Sequence, residues 1–93
     1  MRNQLLQKLN DHRKEIDTID EQMLQLLERR LIIVKQIADL KNQQNLPIRD
    51  TKREEVILDN IAVKAEKLGL DPELAKRFFR TVINLSVEVE QKL

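Results

Sequence analysis

The residues best suited to chemistry in this sequence are cations standing where apolar side chains are expected. Apolar residues recur at Leu9, Ile16, Ile19, Met23, Leu26, Ile33, Ile37 and Leu40, with the alternating three- and four-residue spacing of a helical seam. Arg30 falls in that register between Leu26 and Ile33. Lys41 follows eleven residues later, which returns it to within about 20° of Arg30 and roughly 16 Å along a helix axis. Side chains of that length can converge on one small molecule. A buried, unpaired cation is costly, so the pair calls for a carboxylate of a neighbouring helix or for an anionic ligand. Taken singly, Arg30 is as well explained by an ion pair, and Lys41 by a solvated charge near a helix C-terminus.

Three further groups belong with this pair. Arg13 lies about 25 Å from Arg30 along the same helix and about 100° round it. One rigid helix cannot bring both to one small ligand, so if both serve a single site Arg13 comes from a second subunit. Alone, it is a surface charge. Asp50, Arg53 and Glu54 form an i, i+3, i+4 set at the start of a second helix. Capping by Asp50 and the dipole preference for acids in a first turn also explain them. Ser86 and Glu90 stand one turn apart on a third helix, beside an apolar stripe, where a back-bonded serine and a solvated acid are the plain reading.

Composition removes most other chemistries. There are 17 basic and 16 acidic residues, so a net charge of +1 gives no general pull toward nucleic acid or membranes. Phe78 and Phe79 are the only aromatics, too few for a base-stacking platform. With no Cys there are no disulfides, thiolate metal sites or thiol nucleophiles, and His12 alone cannot build a histidine metal site. No cofactor or metal is expected. No secretory apolar region or run of 18 apolar residues occurs, so the chain reads as soluble and cytoplasmic.

The elements that must position these residues are helices. One Gly, two Pro and 41% apolar residues suit an all-α chain with a single domain over residues 1–93. Nothing breaks a helix over residues 5–42, and Leu24, Leu27, Leu31 and Val34 widen its stripe enough to face more than one neighbour. Residues 42–49, with Pro47, read as a loop. Asp50 opens a helix over residues 50–68 that buries Ile57, Leu58, Ile61, Ala65 and Leu68, and Gly69 ends it. Asp71 and Pro72 open a third over residues 72–91, whose stripe is Ala75, Phe78, Val82, Leu85 and Val89. The first helix would be about 57 Å long. A compact domain of this size is roughly 35 Å across, so two short helices cannot cover it. The seam therefore predicts a partner, most simply a second copy.

The order Arg13, Arg30, Lys41, then Arg49-Asp50-x-x-Arg53-Glu54, then Ser86 and Glu90 resembles the all-α (AroQ-type) chorismate mutases over essentially the whole chain. The Glu28-Arg29-Arg30 stretch and the Pro47-x-Arg49-Asp50-x-x-Arg53-Glu54 segment are its most recognisable parts. The resemblance implies an intertwined homodimer in which each site borrows an arginine across the interface. It also implies rearrangement of chorismate to prephenate, with no metal, nucleophile or cofactor. Arg30, with Arg13 of the partner subunit, would grip the two carboxylates through charge-assisted bonds. That grip selects the reactive conformer. Lys41 and Glu90 would donate to the breaking ether oxygen. Glu54 and the backbone near Asp50 would bind the ring hydroxyl, and Arg53 and Ser86 would support the carboxylate end. An ionised carboxylate only accepts, so Glu90 is expected to work as the protonated acid, a form that burial favours.

Two rivals remain at this point. An isochorismate-pyruvate lyase shares the fold and the cationic grip, but the lyase type departs from the segment that residues 49–54 keep. A non-catalytic helical dimerisation or regulatory module would keep the apolar stripe, with no reason to place Arg30 in it.

Overall fold

Helix ends are fixed by local chemistry at both sides of each connection in this chain. The computed structural model describes residues 1–92. It contains three helices, α1 (Arg2–Gln43), α2 (Thr51–Lys67) and α3 (Pro72–Gln91), and no strand among the described residues. By its internal contacts the chain divides into Met1–Ile32 and Ile33–Leu93.

Within Met1–Ile32, α1 runs uninterrupted from Arg2, without a second element in that unit to cover a face. The helix begins at Arg2, earlier than the apolar pattern predicts, because nothing in the first residues opposes helix formation.

Within Ile33–Leu93, α1 ends in a Schellman turn built on asparagine. Leu46 N donates to Lys41 O at 2.8 Å, Asn45 N donates to Asn42 O at 3.3 Å, and Asn45 takes φ +54°. Asn tolerates this left-handed conformation better than other side-chain-bearing residues. Asp50 then caps α2 from an extended backbone, its Oδ1 accepting from Arg53 N at 3.0 Å. The far end of α2 closes with a second Schellman turn. Leu70 N bonds Ala65 O at 2.9 Å and Gly69 N bonds Glu66 O at 3.0 Å, with Gly69 at φ +73°. Asp71 caps α3 through Glu73 N at 2.9 Å, and Pro72 supplies the first helical residue.

α2 and α3 pack directly on each other. The buried apolar residues among those described are Val34 and Ala38 of α1, Leu58 and Ala65 of α2, and Ile83 of α3. Three polar residues, Glu54, Ser86 and Glu90, share that interior. Two expectations need correction. Leu68 is 75% exposed, because it is the C-cap of α2 and lies beyond its packed turns. On α3 the packed line runs through half-buried Phe79 and buried Ile83, Ser86 and Glu90, each one residue on from the expected Phe78, Val82, Leu85 and Val89. A shift of one residue rotates the packed face by about 100°. Phe78 and Leu85 are left 50% and 42% exposed. The apolar count chose the wrong line because two of the residues that do pack inward are polar.

Candidate active site

Lys41 sits in the last turn of α1, immediately before the Asn45 turn returns the chain toward it. Its carbonyl accepts from Leu46 N, while its Nζ donates to the carbonyl of Ile48 further along the same loop. The ammonium also donates to Glu90, at 3.1 Å to Oε2 and 3.4 Å to Oε1. The Lys41 side chain is 20% exposed and that of Glu90 7%, so this is a mostly desolvated ion pair. Removing either partner alone would strand a buried charge.

A second cluster centres on Glu54, in the first turn of α2. Arg49 Nε donates to its Oε2 at 3.0 Å and Arg80 Nη1 to its Oε1 at 2.9 Å. Arg49 is itself held at Nη2 by Asn84 Oδ1, at 2.8 Å. Arg80 and Asn84 are one turn apart on α3, so the two holds come from one face of that helix. The carboxylate is 10% exposed, whereas both arginines are 47% exposed.

Ser86 is buried one turn before Glu90 and donates to Val82 O at 2.9 Å, the back-bonded geometry open to a helical serine. Asp50 spends Oδ1 on the α2 cap, and Arg53, whose amide donates that bond, is exposed. Arg13 and Arg30 both lie on the Met1–Ile32 length of α1, seventeen residues apart. Among the described residues no group of His, Cys, Asp and Glu could hold a metal ion, and no helix is long and apolar enough to cross a membrane. His12 is exposed beside Glu15, at 3.2 Å.

Arg80 and Asn84 escaped the sequence reading. A signal was available: each lies within a turn of the buried α3 line, and Arg80 is a long cation facing an acid at the start of α2. Only a correct rotation of α3 would have revealed it. Across both clusters the cations Lys41, Arg49 and Arg80 outnumber the acids Glu54 and Glu90, which suits an anion.

An all-helical chain with buried, charge-bearing residues drawn from the end of α1, the start of α2 and one line of α3 matches one family closely. Residues 12–91 match the chorismate mutase type II family, and the chain belongs to it. That match spans every residue from Arg13 to Glu90 discussed above. Among its relatives is a chorismate mutase of Methanocaldococcus jannaschii, 34% identical over 85% of this chain and 80% of the relative. A bifunctional chorismate mutase/prephenate dehydratase of Buchnera aphidicola (subsp. Schizaphis graminum) is 37% identical over 87% of the chain. The T-protein of Haemophilus influenzae is 33% identical over 94%. The matches cover 21% and 23% of these two longer relatives.

Proposed function

We propose that the chain is a chorismate mutase, converting chorismate to prephenate by electrostatic stabilisation and conformer selection, with sites completed in a homodimer. The observation that carries this reading is the desolvated Lys41–Glu90 pair, 3.1 Å apart on facing ends of α1 and α3. A pericyclic rearrangement needs donors placed where charge develops, and these two groups can flank one ether oxygen. Lys41 is steered by the Ile48 carbonyl, so its ammonium is positioned before substrate arrives. Glu90 accepts from Lys41 in the free chain. To donate to the ether oxygen it must carry a proton.

Arg30 and Arg13 of the partner subunit then hold the two substrate carboxylates, each able to offer a bidentate fork. Glu54 accepts from the ring hydroxyl, with the backbone near Asp50, and Arg53 and Ser86 support the carboxylate end. The homodimer is supported by the seam of α1. All eight of its apolar residues are exposed in the single chain, from 41% for Ile37 to 60% for Leu40. A row of that length is a surface awaiting a partner.

Incubating the purified protein separately with chorismate and with isochorismate tests the reading. Prephenate from the first supports it. Salicylate and pyruvate from the second, without prephenate from the first, would replace it with the lyase.

A further inference from the structure

Glu54 is held in an unusual way for an acid that must receive a substrate hydroxyl. A carboxylate oxygen has two acceptor positions. Each oxygen of Glu54 has one of them filled by a different arginine, Arg80 on Oε1 and Arg49 on Oε2. Two donors on opposite oxygens stop rotation of the carboxylate about its last bond, which is otherwise soft. The remaining lone pairs therefore point in fixed directions.

The exposures of the partners indicate what these bonds are for. Arg49 and Arg80 are each 47% exposed, and ion pairs with solvated guanidinium groups contribute little to stability. What the clamp does secure is the orientation of a carboxylate that is itself 10% exposed. Asn84 adds to this by holding the free arm of Arg49. All three residues are outside the set that touches substrate in the proposed mechanism.

We infer that Arg80 is a positioning residue: with Arg49, it fixes Glu54 so that the carboxylate reads the ring hydroxyl of the substrate. This rests on the reading of Glu54 as the hydroxyl acceptor. The hydroxyl is unchanged in the reaction, so its contact is made equally in the ground and transition states. Loosening Glu54 should therefore raise KM more than it lowers kcat.

The test compares chorismate with an analogue lacking the ring hydroxyl, using wild type, Arg80→Gln and Arg80→Lys. For Arg80→Gln, kcat/KM on chorismate is expected to fall about tenfold, mainly through KM, as for weakening one charge-assisted bond. On the analogue the same variant should change by less than about twofold, because no hydroxyl remains to be read. Arg80→Lys keeps a cation on Oε1 and should recover most of the loss. An equal fall on both substrates, no fall on chorismate, or a wild-type enzyme indifferent to the hydroxyl would each overturn the inference while leaving the mutase activity standing. Failure of wild type to make prephenate from chorismate would instead remove the reading on which it rests. Arg80 is a half-exposed helical position, and circular dichroism confirms folding of each variant before its kinetics are read.

Discussion

If Arg13 and Arg30 serve one site, they must do so from different subunits, and mixing two inactive variants then restores activity. α1 is continuous between them, and seventeen residues separate them by about 25 Å along the axis. An extended arginine reaches only a fraction of that distance, and the two positions also differ by about 100° in direction. Arg13→Ala and Arg30→Ala should each lose at least about a hundredfold in kcat/KM, taking roughly 3 kcal/mol for an uncompensated substrate carboxylate. In a mixed dimer, one site keeps its own Arg30 and receives Arg13 from the other chain; the second site lacks both. Random reassociation after unfolding places about half of the chains' dimers in the mixed form, each with one working site. About a quarter of wild-type turnover should return on co-refolding equal amounts, read by prephenate formation against each variant refolded alone. Activity that stays at the level of the separate variants, with dimers confirmed by sedimentation, would refute the shared-site argument.

Three other outcomes follow from the geometry. Glu90→Gln places a permanent amide donor beside Lys41 and should retain turnover, whereas Glu90→Ala should lose about a hundredfold in kcat; a Glu90→Ala enzyme as fast as wild type would sink that role. Gly69→Ala meets no atom within 4 Å, so its cost is the left-handed backbone alone. About 1 kcal/mol is expected, read as a Tm lowered by roughly 4–8 °C with kcat unchanged. Ile16→Asp, at an exposed seam position of α1, should leave a monomer by sedimentation and abolish turnover, since each site would lose its borrowed arginine.

The fold class was readable because the punctuation is strong. Asp50, Gly69, Asp71 and Pro72 each sit where helix-end chemistry demands their type, and the structure uses all four. The Asn45 turn was harder to see, since asparagine adopts the left-handed conformation only when the surrounding bonds require it. The long polar set in order along the chain was legible as a resemblance. Its local geometry was not. Ser86 and Glu90 occupy the packed line of α3, and their polarity hid that line from any count of apolar residues. Arg80 and Asn84 went unnoticed for the same reason, because their partners become visible only once α3 is turned by one residue.

The undivided helical length within Met1–Ile32 has a consequence for how the molecule is made. Helix without tertiary cover is marginal in water, and this length has no second element of its own to lean on. If pairing with a second copy supplies the cover, folding and association become a single event. Refolding would then be second order in protein, slowing as the solution is diluted, while the α2–α3 hairpin forms at a concentration-independent rate. Stopped-flow traces at two protein concentrations would separate the phases. A cell making little of this chain would wait longer for working enzyme than its rate of synthesis alone implies.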